Sequence, residues 1–296
     1  VIVDTNIAID GRIPELLRHA FRVATTGKKG PVFMDMPRDL LHGQSIEAEV
    51  LPPQRYRLVE PRLEGDAASI EAAVRVLLEA QRPVLVAGGG VVWSEGSGEA
   101  VALADLLGAA LVTSYGRNDA VPNDHPRFLG ALGRASSPEA AEAVRRADVL
   151  LALGTRLSHF TTFYDHRYIQ PGTRIVQVEI DPREIGRNWP VEVGILGDAR
   201  AVAARVAGAL RRHLAEGPRN AAWRREVEEL AGRRRARLAA EGRLDTLPMK
   251  PQRVYAELNK VLPRDAIVTL DAGAAVAMGY DRLRFSEPRT FFTPLD

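Results

Sequence analysis

The stretch that most constrains this chain is Arg82-Pro83-Val84-Leu85-Val86-Ala87-Gly88-Gly89-Gly90-Val91-Val92. A short apolar run bounded by Pro and Gly suits a strand buried on both faces of a parallel sheet. Glycines at its carboxyl end permit a tight turn and a close backbone approach to a ligand, in the crevice where open α/β sheets bind. The triplet lacks the third spaced glycine of a dinucleotide fingerprint. On spacing alone, a nucleotide-type site and a plain tight turn both remain open.

Around this strand the chain alternates regularly. A helix over 67–80 carries Ile70, Ala73, Val74, Leu77 and Leu78 on one face. Strands are expected at 84–87, 110–113, 148–153, 174–180 and 193–196, with helices at 98–107, 138–147 and 200–215. Loops carry Gly116-Arg117-Asn118 and Pro122-Asn123-Asp124-His125-Pro126. This pattern predicts an α/β fold, a Rossmann-like parallel sheet with helices on both faces and right-handed crossovers.

The flanks read differently. Val1 to Ile9 is strand-like, and its Asp4-Thr5-Asn6 is similar to the opening of PIN-type nucleases, although no later acidic cluster joins it. A helix over 13–26 starts with Pro14 in its first turn and stops at Gly27, and a buried strand over 30–39 is ended by Pro37. One helix and one strand are too little for a domain, so this stretch reads as the end of one that begins earlier. Pro52, Pro53 and Pro61 mark 45–63 as a linker. The arginine-rich 211–243, with Glu226, Glu228 and Glu229 interspersed, reads as a solvated connecting helix and not as a nucleic-acid patch. A fresh unit follows, with a helix over 251–262 and a strand over 266–270, and 281–296 completes no fold of its own.

Composition narrows the function classes. A chain of 296 residues can bury a sizeable core in one large domain or two, and a net charge of +2 makes no case for nucleic acid. With no cysteine there is no disulfide and no thiolate chemistry. Neither a signal peptide nor an apolar run long enough to span a bilayer is apparent, so no membrane partner is expected and the cytoplasm is the expected compartment.

A series of short motifs then appears in order. They are Gly30-Pro31-Val32-Phe33-Met34-Asp35-Met36-Pro37-Arg38-Asp39, the Arg82 stretch, Asp124-His125-Pro126, Leu129-Gly130, Gly154-Thr155-Arg156, Ile180-Asp181-Pro182 and Gly197-Asp198-Ala199. Together they resemble the acetolactate-synthase-like group of thiamine-diphosphate enzymes, which includes oxalyl-CoA decarboxylase and sulfoacetaldehyde acetyltransferase. The resemblance implies three α/β domains. Residues 1–45 would be the end of a pyrimidine-binding domain, 46–65 a linker, 66–215 the central Rossmann-like domain, 216–249 a linker helix and 250–296 the start of a pyrophosphate-binding domain.

The same resemblance implies an enzyme dependent on thiamine diphosphate and Mg that makes or breaks the C–C bond next to a carbonyl, on a 2-oxo acid or acyl-CoA substrate. It also implies a homodimer or homotetramer. In that group the cofactor-activating glutamate would precede Val1 and the Gly-Asp-Gly metal motif would follow Asp296. Residues 1–296 alone are therefore expected to be catalytically incompetent, with no catalytic or metal residue assigned among them.

For the central domain the resemblance offers FAD, ADP or no ligand. The matching positions are Gly88, Gly89, Gly90, Thr113, Ser114, Leu129, Gly130, Gly154, Arg156, Asp181 and Asp198. Glycine N–H groups and Arg156 suit a pyrophosphate, and strand-end carboxylates suit ribose or adenine. The plain alternative makes Asp181 and Asp198 helix caps. Leu157-Ser158-His159-Phe160 stands where flavin-binding relatives carry charged residues, which favours an empty domain. In the last unit, Gly273 and Ala274 match positions that contact the cofactor diphosphate, although alanines replace the Gln and His typical of acetolactate synthases. Arg38-Asp39 is expected to be a strand-end ion pair and His125 a surface-loop histidine. Two rivals stand beside this reading: a non-catalytic nucleotide-binding or scaffold module, and an NAD-dependent deacetylase-like protein, against which the lack of cysteine weighs.

Overall fold

A computed structural model describes residues 12–36, 38, 42, 47–56, 62–134, 136–214 and 220–294. They fall into two compact units, Val1–Arg62 and Leu63–Asp296.

In the smaller unit, α1 (Ile13–Thr25) follows the expected helix closely. Pro14 lies in its first turn and Gly27, at φ +60°, ends it. The buried strand expected over 30–39 is not found among the described residues. Only an isolated bridge at Phe33 forms there, and Phe33 is 66% exposed. A strand is stable only with a laddered partner, and the described part of this unit contains none. The expected strand at 1–9, Pro37 and the Asp39 half of the Arg38-Asp39 pair lie outside the described residues.

The larger unit begins with α2 (Ala67–Glu79), capped by Asp66, whose carboxylate accepts from the Ser69 N–H at 2.9 Å. Then come β1 (Pro83–Ala87), the short α3 (Gly89–Ser94), α4 (Ser97–Leu107), β2 (Ala110–Thr113) and β3 (Phe128–Ala131). The chain continues through α5 (Pro138–Arg146), β4 (Val149–Leu153), α6 (His159–Thr162), β5 (Arg174–Glu179), β6 (Val193–Leu196) and α7 (Ala199–Arg211). Six strands make one all-parallel sheet in the order β3-β2-β1-β4-β5-β6. Every residue of β1 is buried. Alternate side chains divide between two cores: Leu85 and Ala87 pack with α2, α4 and α7, whereas Val84 and Val86 pack with α5 and the helix described next. The expected Rossmann-like sheet with helices on both faces is therefore present. The sequence reading did not anticipate β3, whose four residues include Gly130.

The stretch read as a solvated connector is a packed element. α8 (Ala221–Glu241) buries Trp223, Val227, Leu230, Ala231 and Arg234. Trp223 Nε1 donates to the Pro83 carbonyl at 3.0 Å, fixing the helix against the start of β1. The alternating charges occupy its remaining face, and this corrects the solvated reading. The apolar stripe at helical spacing decides the matter.

After α8 come α9 (Pro251–Val261), β7 (Val268–Thr269), α10 (Ala274–Arg282) and β8 (Phe291–Phe292). Residues 281–294 do contribute structure, because β8 pairs in parallel with β7. Tyr255, Tyr280, Leu283, Phe285 and Phe291 form a third small core. The loop after β2 holds this segment through main-chain atoms. Asn118 Nδ2 donates to the Tyr280 carbonyl, Asn123 exchanges two bonds with the Phe285 backbone, and Asp119 accepts from the Thr290 and Phe291 N–H groups.

Candidate functional site

In a parallel sheet of this order, the chain leaves β1 toward β2 and β3 and then returns to β4 on the other side. The gap between the carboxyl ends of β1 and β4 is the topological switch point at which such sheets bind ligands. Gly88, Gly89 and Gly90 leave β1 there, Gly154 and Arg156 leave β4, and Thr113 and Ser114 end β2 on the neighbouring side. Seven of the expected residues thus come from three adjacent strand ends.

Their chemistry is more restricted than their types suggest. The Gly88 N–H donates to the Leu153 carbonyl at 3.0 Å, and the Gly90 N–H donates to the Gly154 carbonyl at 2.8 Å. A Cβ on Gly90 would lie 2.6 Å from Gly154 Cα, and Gly154 itself has φ +60°. These two glycines therefore let the strand ends close on one another, and the amides of Gly88 and Gly90 are engaged by the chain itself. Gly89 faces elsewhere, since a Cβ there would stand 3.2 Å from Arg117 Nε. Ser114 is tied back through its N–H to the Ala87 carbonyl at 2.9 Å. Thr113 is fully buried and its hydroxyl finds no partner.

The remaining residues sit farther along the same edge or away from it. Gly130, at φ +98°, backs onto a side chain: a Cβ there would come 2.9 Å from Arg234 Nε. Arg156 is half exposed and lies 3.5 Å from Glu184. Asp181, at the end of β5, accepts from the Arg183 N–H at 3.1 Å and meets the Arg183 guanidinium at 2.8 and 2.9 Å. Asp198 caps α7 by accepting from the Ala201 N–H at 3.0 Å. Both aspartates thus perform the capping role. Gly273 and Ala274 are not in this sheet. Gly273 (φ +145°) leads into α10, and the space where its Cβ would stand is open. His125 is not a surface residue, because its ring is largely covered and lies 3.2 Å from Asp105. Burial lowers its pKa against the pull of Asp105.

The sequence reading missed two groups of charged residues. The first is in the loop after β2. Asp119, 2% exposed, directs one carboxylate oxygen at two amides and leaves the other without a partner, and burial raises its pKa above the ordinary range. Arg117 lies two residues before it. The second group joins α8 to α10. Arg234 and Asp281 form a buried pair at 3.0 Å, and Arg237 bridges Asp281 at 2.7 Å and Glu139 at 2.9 Å. Arg237 is raised despite its burial, by Glu139 and Asp281, whereas burial lowers Arg234. No local pattern marks these pairings, which span about a hundred residues of chain or fewer.

Among the described residues no helix is long and apolar enough to cross a membrane, and no three of His, Asp and Glu are placed to hold a metal ion.

Comparison with known proteins gives a consistent answer. Residues 70–206 match the family described as thiamine pyrophosphate enzyme, central domain. The chain is 36% identical to sulfoacetaldehyde acetyltransferase from Alcaligenes xylosoxydans xylosoxydans, over 90% of its own length and 47% of that protein's. It is 34% identical to the acetolactate synthase large subunit of Corynebacterium glutamicum, over 94% of its length and 44% of that protein's. The chain thus spans about half the length of the curated relatives it matches. A solved chain from Mycobacterium smegmatis, described as a candidate thiamin diphosphate-dependent enzyme, shares the fold over 97% of this chain and 52% of its own, with a TM-score of 0.69 and 22% identity.

Proposed function

This chain belongs to the thiamine pyrophosphate enzymes through its central domain, residues 70–206, and from that membership we propose that the protein makes or breaks the C–C bond next to a carbonyl. The substrate class is a 2-oxo acid or an acyl-CoA compound, and the working assembly is a homodimer or homotetramer. The observation that carries the reading is similarity over 90% or more of the chain to two enzymes of this group.

Thiamine diphosphate, when bound, supplies the carbanion-stabilising chemistry, and the protein supplies position and electrostatics. Gly273 and Ala274 would hold its diphosphate, and the open backbone at Gly273 fits an approaching anion. Magnesium belongs to the proposed holoenzyme, and no ligand for it is assigned to the described residues. We place the protein in the cytoplasm, in keeping with its lack of cysteine.

In the central domain, the crevice outside β1, β2 and β4 would take the phosphates of FAD or ADP, with Gly89 and Arg156 on its rim. A second reading, a purely structural central domain, is favoured by the closure of the Gly88 and Gly90 amides on β4. Absorbance of the supernatant after denaturing the purified protein separates the two: an adenine or flavin spectrum supports the first.

The function itself is tested on the full-length protein with thiamine diphosphate, magnesium and panels of 2-oxo acids and acyl-CoA compounds. Product that depends on the cofactor is expected with at least one. No turnover across both panels overturns the proposal.

A further inference from the structure

The turn after β2 delivers a guanidinium that nothing described so far uses. Arg117 follows Gly116, at φ +70°, and its N–H donates to the Ser114 carbonyl at 3.1 Å. Its side chain crosses to the neighbouring strand end and lies on Gly89, where an added Cβ would stand 3.2 Å from Nε. The side chain is only partly accessible, yet its guanidinium makes no hydrogen bond or ion pair with any described residue. The arginines covered to a similar or greater degree behave differently: Arg127, Arg234, Arg237 and Arg282 each meet a carboxylate. Asp119 makes no such contact with Arg117: one of its oxygens accepts from the Thr290 and Phe291 amides and the other accepts no hydrogen bond.

Burial lowers the pKa of Arg117. Asp119 works against that, and the positive charge of Arg156 adds to it. Two cations thus converge on one strand-end crevice, and Arg117 has no carboxylate in contact, Asp119 acting on it only at a distance. Beside them Thr113, in register with Ala87, has a fully buried hydroxyl with no partner. A covered cation without a partner is costly unless an anion completes it.

We propose that Arg117 is the anion anchor of this crevice and takes a phosphoryl group, with Arg156 as the second cation. The inference rests on the reading of the crevice as a phosphate-binding site and adds the residue that holds the charge. A planar fork matches phosphate bidentately, which glycine amides already engaged elsewhere cannot do. The phosphoryl group comes either from a nucleotide such as ADP or from free phosphate.

Calorimetric titration of the full-length protein with ADP, adenosine and inorganic phosphate, at low and high salt, tests the proposal without any appeal to turnover. The wild type is expected to bind ADP or phosphate more weakly at high salt. Arg117→Gln should weaken that binding at least tenfold, Arg117→Lys should recover part of it, and melting temperatures of both variants check that the fold is kept. If phosphate binds and ADP does not, the nucleotide reading fails and the anchor stands. If ADP binds equally well to the wild type and to Arg117→Gln, the anchor fails and the nucleotide reading stands. If neither anion binds the wild type, the anchor fails.

Discussion

At the scale of single residues, Asp119 couples a titratable carboxyl to near-complete burial. Burial outweighs the two amides and nearby Arg117 and lifts its pKa above the ordinary aspartate value of 3.8. The folded state therefore holds this proton more tightly than the unfolded chain. Its contribution to stability is complete below the ordinary value and is lost as pH rises through the raised one. Asp119→Asn keeps an oxygen for the Thr290 and Phe291 amides but carries no charge to bury. The expected outcome is that the variant gains on the wild type in melting temperature as pH goes from 4 to 8. Parallel pH profiles for the two proteins rule this account out. Glu139 has the opposite sign. Burial would raise it, but hydrogen bonds from Arg237 and Ser137 hold it low, so its contribution fades on acidification.

At the scale of elements, α8 is the clearest test of how sequence becomes structure. Trp223, Val227, Leu230 and Ala231 form a buried stripe against the sheet, and Trp223 also reaches the Pro83 carbonyl. Trp223→Ala removes a large buried side chain and leaves that carbonyl without its donor. The expected loss is about 3–5 kcal/mol in a denaturant titration, with the slope of the transition unchanged. A loss within about 0.5 kcal/mol, the range of an ordinary surface site, means that the helix is not docked. The stripe was present in the sequence but was masked by the Arg and Glu residues around it. Strands β1, β2, β4, β5 and β6 were legible because each carries Val or Ile in a short run with Gly, Pro or Asp nearby. β3, Phe-Leu-Gly-Ala, has no Val, Ile or Thr, and only the pairing with β2 reveals it. The candidate site was half legible. The residue types placed seven expected positions on one edge of the sheet, at the ends of β1, β2 and β4, but sequence does not tell a glycine that admits a ligand from one that admits its own neighbour. Gly90 is of the second kind, and Arg117 showed no sign in sequence of lying over Gly89 without a partner.

At the scale of the larger unit, the sheet and the segment after α8 are joined by two different kinds of contact. One is ionic: Arg234 of α8 pairs with Asp281 of α10 out of solvent, with Arg237 and Glu139 around them. Arg234→Ala removes one of the two guanidiniums on the buried Asp281 carboxylate, leaves Arg237 as its remaining partner, and is expected to cost about 1–3 kcal/mol. Replacing both partners with apolar residues of similar volume should recover much of that loss in thermal melts. A double variant no better than the single one argues against an excess of buried negative charge as the cause. The other kind is the clasp of Asn118, Asp119 and Asn123 on peptide groups of residues 280–291. Because those three side chains grip only the repeating part of the polypeptide, the fastening does not read which amino acids pass through it. A foreign sequence following the same path would be accepted at that joint, and the choice of sequence there is left to the small aromatic core beneath.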